Sequence, residues 1–240
     1  MSSWARRVNA IYRKELREYR RNRSLVASMA ILPLIFVINP LVTIFALPTS
    51  SAGGLRHQHV LLYLLGIPAI VPAVMAAYAV AGERQQGTLE PMLTTPIRRR
   101  EFLLGKALAV LTPSLAISYA VYALVLAGIT LFADSAVASA LLRGPDVLGQ
   151  LLFTPLVAGL SIWIGMAIST RSSDVRVAQQ LGMLANLPSI AVTTLIASNL
   201  IHGTLALATA FAATLLLGNA AGWWLTAAIL DRERLVTGTR

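Results

Sequence analysis

The ionisable side chains dense enough to act together fall in one segment, Gly82–Lys106, which reads GERQQGTLEPMLTTPIRRREFLLGK. Glu83, Arg84, Glu90, Arg98, Arg99, Arg100, Glu101 and Lys106 lie within its last 24 residues. Such a stretch is either a solvated connector or a contact surface, and it holds no hydrolytic set. The chain has no cysteine, which excludes disulfides, thiolate catalysis, iron–sulfur clusters and cysteine-type zinc sites. Its three histidines are His57, His59 and His202. A metal site from these three is conceivable, but no carboxylate shares the loop of His57 and His59, so they read as loop residues and no metal ligand is assigned. No Ser/His/Asp constellation stands out. The pattern G-x-x-x-x-G-K-[ST] is absent: Gly105–Lys106 is followed by Ala107 and lacks the upstream glycine. The chain therefore cannot cradle ATP phosphates in a P-loop.

Local physics shapes the charged segment. Gly87 is placed to break the helix before it. Thr88 can cap a short helix beginning at Leu89, with Glu90 and Pro91 suited to the first turn. Thr95–Pro96 is a second start signal, a capping hydroxyl followed by proline at the first helical position. The expectation is a short helix, a turn and a basic helix held close under a membrane.

The elements that must hold this segment are membrane spans. The 240 residues are 56% hydrophobic and only 12% charged, with a mean hydropathy of +0.70. Soluble domains are nearer a quarter charged. Six charge-free stretches are each long enough to cross about 30 Å of hydrocarbon: Leu25–Leu47, Val60–Gly82, Ala107–Ala133, Val147–Thr170, Val177–Ile201 and Leu205–Leu230. The first is too long for a signal peptide and lacks a cleavage site. The fold class expected is an all-α polytopic membrane protein: an N-terminal segment 1–24, a six-span body 25–230 and a tail 231–240.

The net charge of +10 reports orientation, not nucleic acid. Eight basic residues precede the first span, five lie between the second and third, two between the fourth and fifth, and three follow the sixth. The other side holds only Arg56 and Arg143, offset by Asp134 and Asp146. Both termini and the 83–106 loop should then be cytoplasmic.

Trp4, Val8, Ile11, Tyr12, Leu16 and Tyr19 recur at helical spacing among arginines, which predicts a basic amphipathic helix in the membrane interface. Ala136, Val137, Ala140 and Leu141 suggest a short outer helix. Pro33, Pro40, Pro68, Pro72, Pro113, Pro155 and Pro188 permit kinks within the spans. Asn39 beside Pro40 and Asn186 near Pro188 read first as interhelical hydrogen-bonding groups and second as candidate residues of a substrate path. No span contains Asp, Glu, Lys or Arg, which weakens an ion-coupled carrier.

Glu83–Arg84–Gln85–Gln86–Gly87–Thr88–Leu89–Glu90, then Leu93, Thr95–Pro96–Ile97, Arg100–Glu101 and Gly105–Lys106, resembles the signature of ABC type-2 exporter permeases. The layout is similar throughout, and Ser169–Gln180 is a weaker second echo. The resemblance implies the permease subunit of an ATP-driven exporter. Its 83–106 loop would hold a coupling helix that docks on a separate ATPase subunit, present in two copies. Glu83, Arg84, Gly87, Thr88, Leu89 and Glu90 would form or brace that contact. Arg98, Arg99 and Arg100 would pair with acidic ATPase residues or lipid phosphates, and the Arg171–Arg176 loop would be a lesser contact. ATP and Mg would belong to the ATPase, with no cofactor in this chain. A second permease copy or a paralogue would complete the pore in a bacterial plasma membrane. In the family Asn39 and Asn186 would fall near the path, and a re-entrant hairpin often occurs near Ser198–Thr204. The apolar spans suit an amphipathic, lipid-like or drug substrate. The alternatives are a haem-pathway or cell-envelope assembly exporter and an ion-coupled secondary carrier.

Overall fold

The computed structural model describes residues 3–45, 55, 57–87 and 98–236. Among them there is no strand. In chain order the elements are α1 (Ser3–Arg21), α2 (Arg23–Phe45), a 3-10 helix (Val60–Leu65), α3 (Gly66–Ala77), α4 (Ala81–Gln85), α5 (Arg99–Phe132), α6 (Ser135–Leu141), α7 (Gly144–Arg171), α8 (Val175–Ala197) and α9 (Leu205–Val236). Six stretches are long and apolar enough to cross a membrane: Leu25–Thr43, Val60–Gln85, Arg100–Phe132, Gly144–Arg171, Val175–Ala197 and Leu205–Ile229. The chain is a multi-pass all-α membrane protein.

Asn22 separates α1 from α2. Its side-chain oxygen accepts the Leu25 backbone N–H at 3.1 Å, which caps the start of α2. The basic last turn of α1, Arg20 and Arg21, suits the negative end of that helix.

The second span lies at the centre of the bundle, against α2, α5, α7 and α8. It is three pieces, not the single helix that its charge-free run suggests. Pro68 and Pro72 remove two backbone donors from it. The break at Tyr78–Val80 is repaired from α7: Ser169 Oγ accepts the N–H groups of Val80 and Ala81 at 3.1 and 2.9 Å and donates to the Ala77 carbonyl at 2.7 Å. In an apolar surrounding a freed backbone group needs such a partner. Ser161 Oγ donates to the Ala69 carbonyl at 2.6 Å. Gly165, midway between the two serines, lies so close to α3 that an added Cβ would sit 2.8 Å from that of Ala76. Ser161, Gly165 and Ser169 thus form a stripe of small residues that lets α7 and α3 approach.

Of the remaining helices, α5 has 34 residues. At about 1.5 Å per residue it spans about 51 Å, well beyond the ~30 Å of hydrocarbon. Its first turns therefore extend past the spans to meet α1. The last helix, α9, packs on α7 through an edge-on Trp163–Trp223 pair, 5.3 Å between centroids, and through Asn219, which donates to the Leu156 carbonyl at 2.9 Å. The short helix α6 buries Val137, Ala140 and Leu141, three of the four residues that suggested it. Residues Ser198–Thr204 turn between α8 and α9 with no helix of their own, Asn199 taking the left-handed conformation at φ 60°.

Candidate functional site

The end of the bundle that carries α1, α4 and the start of α5 holds a network of buried charges. Lys106, on α5, is fully buried. Its Nζ donates to Glu15 Oε1 at 2.8 Å and to Glu83 Oε1 at 2.9 Å. Lys14 Nζ reaches the same Glu83 oxygen at 2.7 Å, Glu15 at 3.3 Å and Glu18 at 3.1 Å. The two ammonium groups balance the two buried carboxylates, and Glu18 adds a third carboxylate at the exposed rim. Phe102, one turn before Lys106, lies 5.1 Å from its Nζ and adds a cation–π contact. Burial pushes the Lys14 ammonium down, but the bond to Glu83 and the charges of Glu15 and Glu83 outweigh it and leave the group raised. Burial, helped by the charge of Glu15, pushes the Tyr19 phenol well up. Glu15, Glu18 and Glu83 bring carboxylate oxygens within 4.8 Å of one another. That spacing would suit a cation, yet the two lysines already fill the role.

The network needs α1 to lie close to α5, and Gly105 permits it. A Cβ there would stand 2.8 Å from Ile11 Cβ. A second clamp acts one turn earlier: Arg7 donates from Nε and one terminal nitrogen to the two Glu101 oxygens, at 2.9 and 2.7 Å. Glu101 also accepts the Arg98 N–H at 3.0 Å. This bond fixes Arg98 in an extended conformation, and α5 begins at Arg99 instead of Pro96. The apolar face of α1 therefore faces protein more than lipid. Val8, Ile11, Glu15 and Tyr19 are buried, Trp4 is exposed, and Glu15 takes the place in the buried stripe that Leu16 was expected to hold.

The predicted contact residues separate by orientation. Glu83 is buried in the network. Arg84 turns to the end of α7, where its guanidinium donates to the carbonyls of Ser172 and Thr170 at 2.7 and 2.9 Å. It thereby joins the end of the second span to the Arg171–Arg176 loop. Gly87 is exposed at φ +67°, and its left-handed conformation ends α4. Thr88, Leu89 and Glu90 lie outside the described residues, as do Pro91, Thr95 and Pro96. Arg98 and Arg100 are exposed, and Arg100 sits 5.9 Å over the Trp224 ring; the side chain of Arg99 is outside the described set. Asn39 is exposed on α2, whereas Asn186 is buried and donates to the Gly182 carbonyl at 2.8 Å.

At the other end, His59 is not a plain loop residue. Its Nδ1 lies 2.5 Å from Asp146 Oδ1 and 3.2 Å from the Arg143 guanidinium, which itself grips Asp146 at 2.8 and 3.1 Å. The His59 N–H donates to the Ala197 carbonyl at 2.9 Å. This triad ties the starts of the second and fourth spans to the end of the fifth. His57 and His202 are exposed.

The buried charges thus bind one another, and no P-loop pattern occurs in the sequence. A comparison with curated proteins gives no match. The family model of ABC-2 transporter proteins matches residues 9–206, from within α1 to the start of α9, and the chain belongs to that family of transmembrane ABC transporter subunits.

Proposed function

We propose that this protein is the permease subunit of an ATP-driven exporter, moving an amphipathic, lipid-like or drug molecule. A separate ATPase subunit in two copies would bind ATP and Mg, and a second permease copy or paralogue would complete the path. Both termini and the charged network would face the cytoplasm of a bacterium, since most basic residues gather at that end.

The observation that carries this reading is the Lys106–Glu15–Glu83 network. Glu83 ends the central span just before the loop that resembles a docking segment. A displacement of the loop would be felt at once by α1, by α5 and by the central span. Arg84 would pass the same displacement to α7. An ATPase dimer can shift such a body only by holding its two conformations with different affinity, and rigid-body tilting of the spans is the expected response. Thr88, Leu89 and Glu90 would form the docking surface, with Glu83 and Arg84 bracing it from inside. The buried charges are balanced pairs at the ends of the bundle, which favours this reading over an ion-coupled carrier.

The test is purification of tagged protein in mild detergent, with mass spectrometry of its partners and an ATPase assay. A stoichiometric P-loop partner is expected. Glu90→Lys should leave the permease in the membrane but uncouple transport from ATP hydrolysis. Recovery of the chain alone from native membranes, without ATPase activity, would refute the assignment.

A further inference from the structure

A concave channel of about 520 Å³ runs between α2 and α5 on the side of the bundle. That volume falls within the ~300–1,000 Å³ of small-molecule sites. Every residue along it is apolar, including Val26, Pro33 and Leu41 from α2 and Ile117, Leu124 and Gly128 from α5. Small residues open it: an added Cβ on Gly128 would meet nothing within 4 Å. Along α2 it extends from Val26 to Leu41. At about 1.5 Å per residue that is about 22 Å, more than the ~15 Å depth of one leaflet.

One charge stands at its end. Arg23 precedes Val26 by three residues and Ala30 by seven, so it heads the same face of α2 that forms the channel wall. It is exposed and makes no ion pair or hydrogen bond among the described residues. Arg20 and Arg21, also exposed, close α1 just before it. The N-terminal end of α2 adds a partial positive charge. A cation at the end of an apolar channel complements an anionic head on a hydrocarbon tail.

We infer that this channel is a binding site for an anionic phospholipid of the surrounding bilayer, with one acyl chain between α2 and α5 and the phosphate at Arg23. The site is independent of ATPase docking, because none of its residues belongs to the loop or to the buried network.

The experiment uses the full chain in phosphatidylcholine vesicles doped with a phosphatidylglycerol that carries a diazirine on its acyl chain. After illumination, peptides of α2 and α5 that line the channel should be labelled several-fold more than the exposed outer face of α9 around Leu217. Gly128→Leu should remove the channel labelling and leave that of α9. Arg23→Gln should lower channel labelling about fivefold, the worth of one basic residue at an anionic surface. With the same diazirine on phosphatidylcholine, Arg23→Gln should change nothing. Circular dichroism and the melting temperature check that both variants fold; Leu217→Phe serves as a second apolar-face control. Equal labelling of channel and α9 would overturn the proposal, since lipid would then be only a solvent. Loss of labelling at channel residues, with permease–permease crosslinks in its place, would overturn it in favour of a second copy of the chain.

Discussion

Replacing Lys106 with methionine is the sharpest perturbation of the charged network. Methionine keeps much of the length and removes the ammonium. Glu15 and Glu83 lose contacts of 2.8 and 2.9 Å. Lys14 remains, 2.7 Å from Glu83 but 3.3 Å from Glu15, and its side chain is 40% exposed. Removing one partner of a buried ion pair costs about 3–5 kcal/mol, because the other charge is left uncompensated. With Lys14 still present, the lower end, about 3 kcal/mol, is expected. For a chain of this size that corresponds to a fall of about 6–12 °C in the melting temperature. Adding Glu83→Gln should not add its own full cost. The double variant removes both charges, and swapping a buried pair for neutral groups is often close to neutral. A coupling energy of about 0.5–3 kcal/mol in the recovering direction should therefore appear. The assay is thermal unfolding in one detergent, with all four members of the cycle measured together. A Lys106→Met shift of under about 1 °C, or strict additivity with Glu83→Gln, would refute the reasoning that these groups form an interior pair.

Other predictions rest on separate contacts. Gly105→Val should displace α1, because its Cβ would stand 2.8 Å from Ile11; faster tryptic cleavage at Arg13 and Arg17 reads this directly. Arg84→Gln should weaken two charged hydrogen bonds to the Thr170 and Ser172 carbonyls, each worth about 1.5–3 kcal/mol before solvent access is counted, and should lower transport per ATP hydrolysed while leaving the protein in the membrane. The raised Lys14 holds its proton more tightly folded than unfolded. Its stabilisation is thus complete below the ordinary lysine range near pH ~10.4 and fades above it; the melting difference between wild type and Lys14→Gln should shrink in that alkaline window. Since the chain has no cysteine, single cysteines can map its orientation: an impermeant maleimide added to intact cells should label His57→Cys and His202→Cys but not Arg17→Cys.

How much of this could be read beforehand differs from element to element. The six spans stand out because the stretch of helix that crosses ~30 Å of hydrocarbon carries few or no charges. Their arrangement does not stand out. The first and second spans have the same mean hydropathy, 2.3, yet one is largely exposed and the other almost wholly buried. Lipid tails and helix faces are equally apolar, so hydropathy cannot tell which helix is central. Small residues carry that information. Ser161, Gly165 and Ser169 recur every fourth residue on α7, and they are the residues that meet α3. The pattern is visible in the sequence to a reader who asks which faces could approach closely. The break after Ala77 is harder, because it depends on a serine 92 residues away.

The charged end shows the same division at single residues. Gly87 could be read alone, since ending a helix in the left-handed region is a local matter. Glu83 could not: a carboxylate beside a loop that resembles a docking segment looks like part of a surface, and its partner Lys106 lies 23 residues on. A clue was nevertheless present in α1. Counting by three and four from Val8 gives Ile11, Glu15 and Tyr19, an acid set into an apolar stripe. A carboxylate on a buried face demands a cation. The chain has only two lysines, Lys14 and Lys106, and Lys106 follows Phe102 by one helical turn on α5, whose start reaches this end. An exposed Glu15 would have made α1 a helix that floats on the membrane. A buried Glu15, held by Lys106, makes α1 part of the packed body of the protein.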